Sequence, residues 1–253
     1  MKIAFVASRA IAAREALARL KKKYVHVSPA KADVIVALGG DGFMLATLHK
    51  FLPTGKPVYG MNKGTIGFLM NDYSEFGLKK RIEKSVQSDL VPLEMKAWDA
   101  SGKVHVCKAF NEVSMLRQSY QAASLGISID GKERLDALIC DGIMVATPAG
   151  STAYNLSADG PILPLDAPLL ALTPVSPFRP RRWRGALLPN TSTIEIVVNE
   201  QSKRPVNAVA DHVEVKSVRR ISVREDNQSK AIILFDPHHT WNERILAEQF
   251  NID

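Results

Sequence analysis

Residues 34–46 read VIVALGGDGFMLA, and their reading decides the fold. DVIVAL (33–38) is apolar at consecutive positions rather than alternate ones, which fits a parallel strand covered on both faces. It runs into Gly39, Gly40, Asp41 and Gly42, after which FMLATLHKF (43–51) reads as a helix. Upstream, KIAFVA (2–7) is a short strand. Ser8 then stands where an N-cap belongs. Ala13, Leu17, Leu20 and Tyr24 share one helical face, and Lys21, Lys22 and Lys23 suit the negative end of that helix. VHVS (25–28) and KPVYG (56–60) are further short strands. Strands alternating with helices indicate a Rossmann-like α/β layer.

The pattern changes near residue 90. Pro92 and a turn over residues 99–102 introduce short alternating runs: Val104 and Val106, then Leu125, Ile127 and Ile129 up to Asp130-Gly131, a hairpin signal. Ile194, Ile196 and Val198, then VNAVADHVEV, RRISVR and KAIILF, continue in the same way. Closely spaced strands of this kind predict an all-β, sandwich-like domain. The expected organisation is an α/β domain over 1–98, a β-rich domain over 99–235, and a helical tail over 236–253 packing back on the first.

Of the 253 residues, 46% are hydrophobic and 23% charged, as in ordinary globular chains. No run approaches the ~18 apolar residues of a membrane span. Arg9, Arg14, Glu15 and Arg19 interrupt the N-terminal apolar stretch, against a signal peptide. Two cysteines without CxxC spacing suit a reducing compartment, so a cytoplasmic location is expected. The net charge of +7 suits nucleic acid or phosphorylated small molecules equally. Its densest source, FRPRRWRG (178–185), reads first as a solvated basic loop, and no nucleic-acid module surrounds it. The six histidines have no metal-ligand spacing, and no GxSxG element is present.

Three segments carry chemistry. GGDG (39–42) sits where ligands bind in open α/β sheets, at the carboxyl end of a strand, and a helix start there favours an anion. A phosphate cradle has no use for a carboxylate, so Asp41 suits either a base toward a hydroxyl or a ligand of Mg²⁺. The tetrapeptide alone is equally well a tight turn. CDGIMVATPAGSTAYNLSADGPIL (140–163) offers glycines, hydroxyls and an aromatic ring for a nucleotide. In FNEVSM (110–115), Asn111 and Glu112 could bracket two ribose hydroxyls, although an Asn-Glu pair at a strand end is common.

GGDG at 39–42, NKGTIGFL at 62–69, NE at 111–112, DG at 141–142 and TPAGSTAYNLSADGP at 147–161, in this order, resemble the NAD kinases over nearly the whole chain. The resemblance implies transfer of the terminal phosphoryl group of ATP, or of polyphosphate, to the 2′-hydroxyl of the adenosine ribose of NAD, giving NADP. It implies Asp41 as general base, and Gly39, Gly40 and Gly42 as the phosphate-donor loop. It also implies a dinucleotide site of Asp41, Gly42, Asn111, Glu112, Asp141, Ala149, Thr152, Ala153, Tyr154, Asn155, Leu156, Ser157, Asp211 and His212. Mg²⁺ or another divalent cation is implied without an assigned ligand, and a homodimer or homotetramer with no nucleic-acid or membrane partner is expected. Phe43, Ala149 and Asp159 depart from the family pattern, which more often has Thr, a hydroxyl residue and Gly there.

Other readings remain from the residues alone. A diacylglycerol-type lipid kinase would share GGDG but not the hydroxyl-rich 151–157 segment. A non-catalytic NAD sensor would bind without forming NADP, and a nucleic-acid module would be held by charge.

Overall fold

The computed structural model describes residues 1–64, 67–237, 243 and 250. They belong to two compact units, residues 1–90 with 228–253, and residues 91–227.

In the first unit the elements are β1 (Ile3–Ala7), α1 (Ile11–Lys23), β2 (Val34–Gly39), α2 (Asp41–Phe51), β3 (Val58–Asn62), α3 (Leu78–Lys84) and β4 (Val86–Leu90). β1, β2 and β3 pair in parallel, and β2 is buried along its whole length. That burial is why its sequence is apolar without alternation. α1 presents Ala13, Ala16 and Leu20 to Ile3, Val34 and Val36 of the sheet. Its N-cap is Ala10 rather than Ser8. The Ser8 amide instead donates to Leu38 O at 2.9 Å, extending the strand pairing past β1. VHVS forms no strand. A single bond from Val27 N to Ile3 O ties it to the sheet.

The second unit contains β5 (Leu93–Asp99), β6 (Val104–Ala109), β7 (Glu112–Arg117), β8 (Ala123–Ile129), β9 (Lys132–Cys140) and β10 (Gly142–Ala146). A 3₁₀ turn over Ala149–Thr152 and the one-turn helix α4 (Tyr154–Ser157) follow. Then come β11 (Leu169–Val175), β12 (Ala186–Pro189), β13 (Ile194–Val198), β14 (Val206–Ala210), β15 (Val213–Val215) and β16 (Val218–Glu225). They form two six-stranded sheets, ordered β12-β11-β10-β7-β14-β15 and β6-β5-β16-β13-β8-β9. Every pairing is antiparallel. Val113, Met115, Ile143 and Leu172 of the first sheet share one core with Met95, Leu125, Ile196 and Ile221 of the second. This is the sandwich that the alternating runs predict. The β8–β9 hairpin turns at Asp130-Gly131, both with positive φ (52° and 74°), as a type I′ turn requires.

One strand crosses the expected boundary. KAIILF forms β17 (Ala231–Phe235), which lies in the first sheet, parallel to β3 and antiparallel to β4. The boundary expected at residue 98 falls inside β5, so 91–98 belong to the β unit and 228–235 to the α/β unit. Alternation identifies a strand but not its sheet, which is decided by pairing partners far away in sequence. Asp236 fixes this return: Tyr59 Oη donates to its Oδ1 at 2.7 Å, Arg81 pairs with its Oδ2, and its amide donates to Asn71 Oδ1 at 2.8 Å. The helix expected over 240–250, and His238 and His239, lie outside the described residues apart from positions 243 and 250. No described helix is long and apolar enough to cross a membrane.

Candidate functional site

In the α/β unit, Gly40 is the N-cap of α2 and Asp41 its first residue, so the helix begins two residues earlier than the apolar pattern suggests. An acidic side chain in a first helical turn is favoured by the dipole. The Asp41 carboxylate is also a clamp. Its Oδ2 accepts from Phe68 N at 2.7 Å and its Oδ1 from Leu69 N at 3.0 Å, tying the NKGTIGFL loop to the helix start. The same loop is held on GGDG by a 2.7 Å bond from Lys63 N to Gly39 O. Gly42 is different: a side chain there would meet no atom of the described residues within 4 Å. Among the described residues neither packing nor backbone strain demands a glycine at this position.

In the β unit, the site residues gather at the start of β7 and the end of β10. Asp211 and His212 form the turn between β14 and β15, with His212 exposed and Asp211 at a φ of 49°. The Asp211 carboxylate accepts from Phe110 N at 2.8 Å and from Asn111 N at 2.9 Å. It therefore fixes the backbone that carries the Asn-Glu pair. Thr147 fixes the same stretch from the other side. Its hydroxyl donates to Phe110 O at 2.6 Å and accepts from Gly150 N at 3.0 Å. A Cβ on Gly150 would stand 2.1 Å from Asn111 O, so only glycine lets the TPAG turn close on this backbone.

With their backbone held this way, Asn111 and Glu112 each bury an oxygen that has no hydrogen-bond partner among the described residues: Asn111 Oδ1 and Glu112 Oε2. Buried acceptors without donors cost about 1–3 kcal/mol each, and such an exception calls for an explanation. Burial, and then the charge of Asp211, raise the Glu112 carboxyl to about 7. The pair is thus pre-set to receive hydrogen-bond donors.

The glycine- and hydroxyl-rich segment divides into buttress and surface. Ser151 is fully buried. Its hydroxyl donates to Pro148 O at 2.6 Å and accepts from Leu163 N at 3.0 Å. Asn155 is also fully buried. It donates to Ser151 O and Pro161 O and accepts from Thr173 Oγ1 at 2.6 Å. Its amide therefore shapes the turn, and no hydrogen-bonding group of it is left over. Ala149 is buried, Thr152, Ala153 and Leu156 are half-buried, and Tyr154 and Ser157 are exposed. Asp141 accepts from Arg117 Nε at 2.6 Å in an ion pair open to solvent, an arrangement worth about 0–1 kcal/mol.

Sequence reasoning missed two things. Thr147 and Ser151 are structural anchors, recognisable only once their distant partners are known. The basic loop is not simply solvated. Ile139 N donates to Arg179 O at 2.8 Å, Trp183 packs against the sandwich core, and Arg182, Trp183 and Arg184 line a cavity of about 370 Å³ with Ser157.

Comparison with known proteins gives the family. Residues 6–88 match the family model described as ATP-NAD kinase N-terminal domain, and residues 110–239 that of the ATP-NAD kinase C-terminal domain.

The chain belongs to the NAD kinase family.

It is 61% identical to the NAD kinase of Rhizobium meliloti (strain 1021), over 98% of this chain and 97% of that one. It is 58% identical to the NAD kinase of Brucella suis biovar 1 (strain 1330), over 97% and 96%. Among solved structures, an Archaeoglobus fulgidus NAD kinase in complex with ATP superposes with a TM-score of 0.79 at 25% identity, covering 99% of this chain and all of that one. Yeast NADH kinase complexed with NADH shares the fold at a TM-score of 0.85 and 23% identity, covering 100% and 89%. As a member of this family the chain is a phosphotransferase that carries phosphate from ATP to NAD.

Proposed function

We propose roles for the residues of each unit taken by itself. Asp41 takes the proton of the 2′-hydroxyl of the adenosine ribose as that oxygen attacks the terminal phosphoryl group of ATP; the bond from that phosphorus to the bridging oxygen breaks, ADP leaves and NADP forms. Gly39, Gly40 and Gly42 leave the start of α2 open to the donor phosphates, where backbone amides and the helix dipole favour an anion. Phosphoryl transfer of this kind is mostly positioning and electrostatic stabilisation. The Asp41 clamp on Phe68 and Leu69 serves that positioning, because it fixes the carboxylate before substrate arrives.

In the β unit, Asn111 and Glu112 accept from ribose hydroxyls. Asp211 and Thr147 hold the pair in place, Tyr154 offers a ring face, and Ala149, Thr152, Ala153, Leu156 and Ser157 line the dinucleotide. Asn155 acts by holding the turn, Asp141 through the polar edge it shares with Arg117, and His212 from its exposed position beside Asp211. The observation that supports this reading is the pair of buried oxygens on Asn111 and Glu112 that have no partner among the described residues.

Among the described residues no group of three His, Cys, Asp or Glu is arranged for a metal. Mg²⁺ keeps its waters and binds through one or two carboxylates and substrate phosphates. Asp41 is the carboxylate at the α2 start that would contribute, and the ion would neutralise charge on the donor phosphates. The unpaired cysteines Cys107 and Cys140 support a reducing, cytoplasmic setting, and we take the working form to be a homodimer or homotetramer.

The test is direct. Incubation with NAD, Mg²⁺ and either ATP or polyphosphate, read with an NADP-specific dehydrogenase, should give NADP. Binding of NAD with no NADP from either donor would overturn the reading.

A further inference from the structure

Strand β11 is buried on both of its faces. Leu170 and Leu172 belong to the sandwich core, so the alternation of a strand puts Ala171 and Thr173 on the opposite face of the sheet. That face would meet solvent with nothing over it, yet Ala171 is 0% and Thr173 1% exposed. Their register partners on β10, Ala146 and Met144, are fully buried as well. Segment 147–163 covers this face at two points. Leu163 packs on Ala146 and Ala171, and Thr173 Oγ1 donates to Asn155 Oδ1 at 2.6 Å.

The second point holds the turn together. Asn155 Nδ2 donates to Ser151 O at 3.1 Å and to Pro161 O at 2.9 Å, so one planar amide joins both ends of the turn. The Asn155 carbonyl accepts from Gly160 N at 2.8 Å. A Cβ on Gly160 would lie 2.2 Å from Asn155 Oδ1, so the chain closes tightly around this side chain. Residues 152–157 hang between these ties. The hydroxyl of Thr173 fixes which way the amide points, because it supplies the donor that Oδ1 needs. A buried acceptor deprived of its donor is costly, and the amide would turn or shift to find another.

We infer that Thr173 is a positioning residue for the dinucleotide. Through Asn155 it sets the place of the 152–157 backbone, while lying beneath that segment and away from its outer surface. The inference rests on the assignment of 152–157 to the dinucleotide. It adds a residue that no motif marks, since LLALTPV (169–175) reads as a plain strand.

Wild-type formation of NADP tests that assignment by itself. Thr173→Val then keeps the branched shape and removes the hydroxyl, and Thr173→Ser keeps the hydroxyl. Ile196→Val, a trimmed side chain in the sandwich core far from the turn in sequence, is the control for general loss of stability. Thr173→Val should raise KM for NAD about tenfold, the scale of one lost buried hydrogen bond. Its kcat and its KM for ATP should stay within about twofold, as when binding is lost uniformly along the reaction. Thr173→Ser should restore KM for NAD, and Ile196→Val should not change it. Should Thr173→Val fail to fold, Thr173→Cys, whose thiol is a weak donor, should fall between Ser and wild type on one side and a lost bond on the other. An unchanged KM for NAD in folded Thr173→Val or Thr173→Cys overturns the inference. So does an equal rise in Thr173→Ser or in Ile196→Val, or a rise in KM for ATP that matches the rise for NAD. Calorimetric binding of NAD to the same variants reads the positioning role even if no NADP forms, so the two failures are distinct.

Discussion

The Asp211 carboxylate accepts a 2.9 Å hydrogen bond from the backbone amide of Asn111, across 100 residues of sequence. Its other oxygen accepts from Phe110. Asp211→Asn keeps the shape and tolerates the left-handed backbone, but it turns one acceptor into a donor facing an amide. We expect about 1–3 kcal/mol of lost stability in urea unfolding, together with a raised KM for NAD. An unchanged unfolding midpoint would show that the clamp contributes nothing.

Glu112 should make stability depend on pH. Its carboxyl is raised from 4.5 to about 7 in the folded protein, chiefly by burial and secondarily by Asp211. Below about 4.5 the group is neutral in both folded and unfolded chains and contributes no penalty. Between about 4.5 and 7 only the unfolded chain ionises freely, so stability falls as pH rises, and the full penalty is present above 7. Relative to Glu112→Gln, wild type should lose roughly 1–3 kcal/mol across this window. Parallel pH profiles for the two proteins would exclude the effect.

Gly150 should tolerate no side chain. The Cβ of Gly150→Ala would overlap Asn111 O at 2.1 Å, and neither backbone can retreat without breaking the Thr147 bonds. Overpacking of this kind costs about 1–3 kcal/mol. Thermal unfolding should show that loss, and steady-state kinetics should show weakened NAD binding because the Asn-Glu pair shifts. By contrast, Gly42→Ala meets no atom of the described residues within 4 Å. It should fold normally and lose activity through crowding of substrate alone.

Asp41 combines anchoring with chemistry, and two measurements separate them. Asp41→Asn retains one acceptor for Phe68 or Leu69, so its thermal midpoint should fall modestly. Removal of a positioned base should lower turnover about 10²-fold or more, with NAD binding by calorimetry nearly unchanged. Near wild-type turnover in a folded Asp41→Asn would remove the base assignment and leave only the clamp.

The motifs were legible because local chemistry writes them into neighbouring residues. GGDG follows a strand whose burial on both faces forces a continuous apolar run. The β unit is legible from period-two alternation, and Asp130-Gly131 marks its hairpin through the φ angles that turn requires. Asn111 and Glu112 could be chosen as candidates, but their unsatisfied oxygens could not be foreseen. Burial of a particular atom depends on what Phe110, Thr147, Gly150 and Asp211 do around it.

The sequence by itself determined the order of an α/β half and a β half, the position of the GGDG turn, and the segments rich in ligand-binding groups. Tertiary structure alone decided the rest. It assigned β17 to the first sheet, where Asp236 meets Tyr59 across 177 positions. It made Asn155 a buried support rather than an open ligand, and it turned two arginines of a basic loop toward a cavity. Period and propensity act over a few residues, whereas pairing partners, burial and the aim of a guanidinium are fixed by contacts between segments a hundred residues apart.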